Sequence, residues 1–172
     1  MQQPGFTSTP ITKTLLTLLL TLSLLLSLTT TKPLLHLQLH PHLFPQHQFH
    51  RLLTFQLTYT NSGELFFGIL LLYHLRLLER AFGSRKFLSS VLLLWAATSA
   101  VIPVLLVATG GRWNYVPAGP TPVLWGLLVA YREVVPAVYT FGVRIGEGEV
   151  GVSDKVWVYV VAGQLAAGQG VG

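Results

Sequence analysis

The sequence of 172 residues contains no cysteine and has few charged side chains. The absence of cysteine excludes a disulfide framework, a thiolate zinc site and a cysteine nucleophile, and it leaves the redox state of the compartment open. Charged residues make up 10% of the chain and hydrophobic residues 51%. A soluble domain usually has about a quarter charged residues. The composition therefore predicts a multi-pass membrane protein.

The net charge of +5 does not indicate nucleic-acid binding, because the 11 Lys and Arg residues lie mostly at the ends of apolar runs. Basic residues in these positions set the orientation of a membrane protein. A cytosolic N-terminus puts eight of them inside and three outside. The inside set is Lys13, Arg76, Arg80, Arg85, Lys86, Arg132, Arg144 and Lys155, and the outside set is Lys32, Arg51 and Arg112. The sequence predicts this topology.

Five apolar runs predict an all-α membrane fold. The predicted spans are 14–31, 64–78, 87–108, 121–135 and 154–168. The first run could also be a cleaved signal peptide, but no small-x-small cleavage site follows it, which favours an uncleaved signal anchor. The fourth run is short for a full crossing. The segment from Val134 to Gly151, rich in Gly and Glu, is predicted to be a loop.

The segment 33–63 is predicted to be a lumenal loop, with three prolines and five histidines. Helical spacing of apolar residues from Phe49 to Leu57 suits a short helix in the headgroup layer. The histidines raise the possibility of a metal site. They do not form an i, i+4 pair on a predicted helix with an acidic partner, and a solvated loop is preferred. These histidines are His36, His40, His42, His47 and His50.

Local signals define the ends of the second span. Asn61 and Ser62 are predicted to cap its N-terminus, and Gly83-Ser84 is predicted to form the turn that follows it. Glu79 is predicted to form an ion-pair cluster with Arg80 and Arg85. The role of this cluster would be architectural, because it would fix the loop at the membrane surface.

Three segments resemble the rhomboid superfamily. Leu78-Glu79-Arg80 followed by Gly83-Ser84 and Phe87 matches the rhomboid pattern L-E-R-x-x-G-S-x-x-F, and Phe49-His50-Arg51 resembles the Trp-Arg motif of the first rhomboid loop. The segment GPTPVLWGLL resembles the start of the fourth rhomboid span. The resemblance implies a rhomboid-like transmembrane helical bundle. It assigns structural roles to His50, Arg51, Glu79, Arg80, Gly83, Ser84, Gly119 and Gly126.

Within that superfamily, the sequence is most similar to the fungal rhomboid-like subunit of the DSC ubiquitin-ligase complex. Three segments carry this similarity: HPHLFPQHQFHRLLTFQLTYTNSGELFF, GSRKF and SDKVWVYVVAGQLA. It implies a non-catalytic adaptor of membrane-protein quality control in the endoplasmic reticulum or Golgi membrane. The implied partners are other membrane subunits of a ubiquitin ligase and transmembrane client proteins. In that family a sixth span and a ubiquitin-associated domain follow, and we expect both to be missing from these 172 residues.

The residues at the rhomboid catalytic positions predict no proteolysis. The resemblance places Glu64 and Gly68 at the second-span His and Asn positions, and Thr121 and Pro122 at the serine and its following glycine. A hydroxyl without a base in reach is a poor nucleophile. Thr121 followed by Pro122 reads better as a helix N-cap and first-turn pair. We therefore predict no catalytic residue, no metal and no cofactor. The alternatives are an active rhomboid protease and a small transporter.

Overall fold

The computed structural model describes residues 8–29, 37–38, 51–108, 115–137, 139–145 and 148–170. These residues form six α-helices and two antiparallel pairs of strands. The helices are α1 (Pro10–Leu28), α2 (Arg51–Thr54), α3 (Ser62–Phe82), α4 (Ser84–Ala108), α5 (Thr121–Val134) and α6 (Val156–Gly170). The strands are β1 (Leu37–Gln38), β2 (Tyr115–Val116), β3 (Thr140–Ile145) and β4 (Gly148–Ser153). The predicted helical framework is confirmed in this part of the chain.

Helix α3 is the centre of the bundle, and it packs against α1, α4, α5 and α6. Leu71, Leu75 and Leu78 recur at helical spacing and are fully buried. Residues spaced by three or four positions share one face of a helix. Leu127 of α5 and Leu165 of α6 complete the same core cluster. The core therefore forms around one continuous stripe of α3.

The ends of α3 follow from two local signals. The side chain of Asn61 accepts a hydrogen bond from the backbone N–H of Gly63 at 3.0 Å, which confirms an N-cap at this position. Gly83 is the C-cap residue and has a φ of 80°, a conformation that favours glycine. Helix α4 begins at the next residue, Ser84. A single glycine thus reverses the chain between the two helices.

Helix lengths differ widely within the bundle. Among the described residues, α1 with 19 residues and α4 with 25 residues are long and apolar enough to cross a membrane. Helices α5 and α6 have 14 and 15 residues. At 1.5 Å per residue they are about 21–23 Å long, against a hydrocarbon core of about 30 Å. The arrangement of five spans stays a prediction.

The prediction of a loop from Val134 to Gly151 is wrong. Strands β3 and β4 pair as an antiparallel hairpin, with Phe141 opposite Val152 and Gly142 opposite Gly151. The sequences TFGVRI and GEVGVS contain the β-branched and aromatic residues that favour strands. Glycines within the two strand segments interrupt this strand pattern in the sequence. The fold is therefore helical with one β-hairpin between α5 and α6.

The segment 33–63 also contains regular structure. Strand β1 pairs with β2, with Leu37 opposite Val116, and helix α2 forms a single turn that packs against α4. Phe55, just after α2, is fully buried. In its described part, the predicted surface helix from Phe49 to Leu57 is therefore one short turn, followed by the buried Phe55 and Gln56 and the exposed Leu57.

Candidate functional site

The ring of Tyr59 lies between two glycines at the top of α3 and α5. A Cβ atom built at Gly68 would lie 2.4 Å from Tyr59 Cε2, and one built at Gly119 would lie 2.4 Å from Tyr59 Cε1. Tyr59 is only 3% exposed. Any larger residue at either glycine would overlap the ring. The two glycines therefore make the space that the tyrosine fills.

The hydroxyl group of Thr121 pairs with Tyr59. Thr121 Oγ1 lies 3.0 Å from the Tyr59 phenol oxygen, and the pair is buried. Burial raises the pKa of the Tyr59 phenol, so this group stays neutral at physiological pH. A neutral phenol is not a base that can activate a hydroxyl. In the described structure, Thr121, which the resemblance places at the rhomboid serine position, is held in a neutral hydroxyl pair.

The prediction that Thr121 is a helix N-cap is wrong. Helix α5 starts at Thr121 itself, its N-cap residue is Pro120, and no side chain of the described residues caps it. The backbone N–H of Leu124 donates to the carbonyl of Pro120 at 3.0 Å. The threonine therefore occupies the first helical position, and its hydroxyl contacts Tyr59 rather than a free amide. The tertiary contact determines the role of this side chain.

Glu64 lies at the start of α3 and faces α6. Its Oε2 accepts a hydrogen bond from Gln169 Nε2 at 3.4 Å, and the carboxyl side chain is 8% exposed. Gln169 also comes close to Gly119, since a Cβ there would lie 3.0 Å from Gln169 Nε2. The structure thus brings Glu64, Gly68 and Thr121 together around Tyr59. Pro122, partly buried in the first turn of α5, follows Thr121.

Sequence reasoning missed Tyr59 and Gln169 as members of this site. Tyr59 precedes the cap of α3 by two residues and lies inside the segment that resembles the DSC subunit, but none of the rhomboid motif positions falls on it. Its backbone N–H donates to Ser23 Oγ of α1 at 3.3 Å, a contact across 36 residues. Gln169 comes from the far end of α6. No local pattern could have placed either side chain beside Thr121.

Other predicted motif residues lie at helix contacts. The N–H of Gly119 donates to the carbonyl of Phe55 at 2.8 Å, which ties α5 to the segment after α2. A Cβ at Gly126 would lie 2.7 Å from Leu94 Cδ2, so this glycine permits close packing of α5 on α4. Arg51 is 8% exposed. His50 lies outside the described residues.

Glu79 joins the lower end of α3 to the start of α1. Its carboxylate accepts hydrogen bonds from Ile11 N at 3.0 Å, Thr12 N at 2.7 Å, Thr12 Oγ1 at 2.7 Å and Ser84 Oγ at 2.8 Å. Glu79 thus acts as an N-terminal cap supplied from another helix. The predicted ion pairs of Glu79 with Arg80 and Arg85 stay a prediction.

Glu79 lies one residue beyond the predicted span 64–78, and its environment favours the ionised form. Burial alone would raise the pKa of this carboxyl group. The hydrogen bonds from Thr12, Ser84 and Ile11 outweigh burial and hold the pKa below its ordinary value. The carboxylate is therefore charged at neutral pH. Its negative charge lies at the N-terminus of α1, the positive end of the helix dipole.

A cavity of about 240 Å³ lies between α1, α4 and α5. Its walls are almost entirely apolar and include Leu19, Leu72, Trp95, Val123 and Leu127. Leu18, Leu57 and Leu92 also line it and are partly exposed, so the cavity opens towards the outside of the bundle. For comparison, an apolar cavity of about 150 Å³ can bind benzene. This space can hold apolar side chains or lipid tails.

No group of three or more His, Asp or Glu side chains that could bind a metal occurs among the described residues. The histidines of the predicted loop, on which the metal alternative rests, lie outside the described residues. That alternative and the preferred solvated loop both stay predictions.

Comparisons with known proteins identify the family. Residues 12–147 match the family described as eukaryotic integral membrane protein (DUF1751). Over 109 residues the chain is 31% identical to DSC E3 ubiquitin ligase complex subunit 2 of Schizosaccharomyces pombe, which confirms the predicted resemblance. That match covers 62% of this chain and 29% of the relative, so the chain spans less than a third of the relative's length. No solved structure matches significantly. The chain belongs to the family of eukaryotic integral membrane proteins DUF1751.

Proposed function

We propose that this protein is a non-catalytic, rhomboid-like adaptor of a membrane-bound ubiquitin ligase. Its N-terminus is cytosolic, it resides in the endoplasmic reticulum or Golgi membrane, and it recognises membrane-protein clients for degradation. The name of the Schizosaccharomyces pombe relative, a subunit of an E3 ubiquitin ligase complex, supports this proposal. So does the position of the degenerate rhomboid residues around a single buried tyrosine.

The observation that carries the non-catalytic part is the contact between Thr121 and Tyr59. A protease would need a base within hydrogen-bonding reach of the Thr121 hydroxyl, and the neighbour at 3.0 Å is a neutral phenol. Glu64, at the position of an oxyanion-binding histidine, would as a carboxylate repel the negative charge that develops during acyl transfer. Both features favour a binding role over a hydrolytic one.

Clients are recognised through the short side of the bundle. Helices α5 and α6 are shorter than the hydrocarbon core, and a shortened segment thins the bilayer next to it. A thinned bilayer is a better environment for helices that are short or carry polar residues. The apolar cavity beside α5 adds a space into which side chains of such a helix can pack. Unstable clients would therefore collect at this side.

Helix α6 supplies the surface for the partner subunits. Gly163, Ala166 and Ala167 are exposed, and a Cβ at Gly163 would meet no atom of the described residues within 4 Å. Small residues on a membrane helix allow another helix to approach closely. We assign this face to another membrane subunit of the ligase. Gly168, next to it, is also exposed, and a Cβ built there would lie 3.6 Å from Glu64 Cγ.

Affinity purification of the tagged full chain from its native membrane tests the proposal. Ubiquitin-ligase membrane subunits should co-purify, and Gly163→Leu on the α6 face should release them. Leu93→Phe on the exposed face of α4 is the matched control and should not. Labelling of Thr121 by a serine-directed fluorophosphonate would instead favour the active rhomboid protease.

A further inference from the structure

A second groove lies on the surface between α1 and α3. Its volume is about 430 Å³, and its walls include Leu16 and Leu20 of α1 and Phe66, Ile69 and Leu70 of α3. The lining is almost entirely apolar. It belongs neither to the Tyr59 site nor to the cavity beside α5.

The groove has two different ends. Thr12 of α1 contacts Glu79 of α3, so the two helices run in opposite directions from this anchor. Lys13 and Tyr73 line the end nearest the anchor, and Leu20 and Phe66 line the far end. Seven residues of helix separate Lys13 from Leu20, which makes the groove about 10 Å long. One end is therefore basic and the other apolar.

Arg76 lies three residues after Tyr73 on α3 and stacks on the ring of that lining residue, which brings a second cation beside the basic end. Its guanidinium carbon lies 3.8 Å from the centre of the Tyr73 ring. Arg76 Nη1 is buried and has no hydrogen-bond partner in the described part of the chain. A buried donor without a partner is unfavourable, and more so when the group is charged. Glu79, one turn away, already accepts four hydrogen bonds from Ile11, Thr12 and Ser84. The Nη1 group therefore still needs an acceptor.

We propose that this groove binds an anionic phospholipid. The phosphate oxygens accept hydrogen bonds from Arg76 Nη1 and the Lys13 ammonium, and one acyl chain lies along Leu16, Leu20 and Ile69. Apolar walls on a membrane protein favour a lipid over a soluble phosphate, because a soluble anion gains nothing from them. Two cations at one end favour an anionic headgroup over a zwitterionic one.

Charge also argues for a lipid rather than a helix of another protein. A basic pocket between membrane helices on the cytosolic side suits acidic lipid headgroups. With the proposed cytosolic N-terminus, Lys13 and Arg76 face the leaflet that carries phosphatidylserine and phosphatidylinositol. A protein helix would cover the apolar walls but would leave Arg76 Nη1 without an acceptor. An anionic lipid provides both an acceptor for Arg76 Nη1 and an acyl chain that covers the apolar walls.

Native mass spectrometry of the full chain in detergent tests this inference, with phosphatidylserine or phosphatidylcholine added at equal concentrations. Phosphatidylserine should bind more tightly. Lys13→Gln and Arg76→Gln should each weaken its binding about fivefold, since a basic residue near the membrane contributes about 1 kcal/mol. Ile69→Trp should weaken it without any change of charge. Lys86→Gln, an exposed cation at the start of α4, is the matched control and should change it less than twofold.

Several results would overturn the inference. These are equal binding of the two lipids, an equal loss in Lys86→Gln and Lys13→Gln, unchanged binding in Ile69→Trp, and competition by soluble glycerophosphoserine at the same concentration as lipid. A lipid-free dimer that Ile69→Trp disrupts would assign the groove to a second copy of the chain. Lys13 is exposed, so Lys13→Gln remains informative even if Arg76→Gln fails to fold.

Discussion

The ring of Tyr59 occupies the space that a side chain at Gly68 would need, because a Cβ built there would lie 2.4 Å from Tyr59 Cε2. We predict that Gly68→Ala lowers the stability of the protein by about 1–3 kcal/mol, the usual result of overpacking a well-filled core. Thermal unfolding in detergent measures this change. The double variant Gly68→Ala, Tyr59→Leu should recover part of the loss.

Gly163 of α6 is the matched control for Gly68, because both glycines lie within helices and a Cβ at Gly163 has open space. Gly163→Ala should stabilise the protein by about 0.5–1 kcal/mol through helix propensity. If Gly68→Ala were as stabilising as Gly163→Ala, the close contact between Gly68 and Tyr59 would be wrong.

The carboxylate of Glu79 holds the start of α1. Glu79→Gln keeps the shape of the side chain and one acceptor oxygen but removes the charge that the N–H groups of Ile11 and Thr12 contact. Hydrogen bonds to charged groups contribute about 1.5–3 kcal/mol, so we expect a loss in that range. Protease protection of the first helix in membranes measures it. Unchanged protection would show that Glu79 does not anchor α1.

The same carboxylate predicts a pH dependence. Because the folded state lowers the pKa of Glu79 below its ordinary 4.5, its contribution is complete at neutral pH and is lost as the pH falls below that value. The difference in melting temperature between the wild type and Glu79→Gln should therefore shrink between pH 7 and pH values below 4.5. A difference that stays constant would mean that the pKa of Glu79 is the same in the folded and the unfolded protein.

Lys155 closes the lower end of α5. Its Nζ donates to the carbonyl of Arg132 at 2.9 Å in the last turn of that helix and lies 5.6 Å from the centre of the Tyr131 ring. Lys155→Met keeps the aliphatic stem and removes the cation, and we expect a loss of about 1 kcal/mol. Lys155→Arg should retain most of the stability. Thermal unfolding of the two variants side by side makes the comparison, and equal losses would contradict a specific role of the cation.

The short helices predict a local change in the bilayer. Electron microscopy of the protein in lipid nanodiscs should show a membrane thinner than about 30 Å beside α5 and α6 and of normal thickness beside α4. Lengthening α5 by four apolar residues after Leu128 should remove the difference. An undistorted bilayer around the native protein would contradict the proposed way of collecting clients.

Short-range patterns in the sequence predicted much of the helical framework. The cap at Asn61 and the turn at Gly83 depend on neighbouring residues only, and the structure contains both. The hairpin from Thr140 to Ser153 was missed because glycines interrupt its strand pattern.

The contacts of the site could not be predicted in the same way. Tyr59 meets Thr121 across 62 residues, and Glu79 meets Thr12 across 67. The sequence marked Glu79 and Thr121 as special through resemblance to a family. It did not predict which side chains form hydrogen bonds with these two residues, because helix packing determines which distant residues lie beside them. The N-cap predicted for Thr121 failed for this reason.

The most direct test of the central claim follows one membrane client in cells that carry either the native chain or Thr121→Val. This variant keeps the side-chain shape and removes the hydroxyl group. If the protein holds clients for ubiquitination without cutting them, client half-life and ubiquitination should be the same in both cells, and no client fragment should depend on Thr121. A client fragment that is present with the native chain and lost with Thr121→Val would contradict the account.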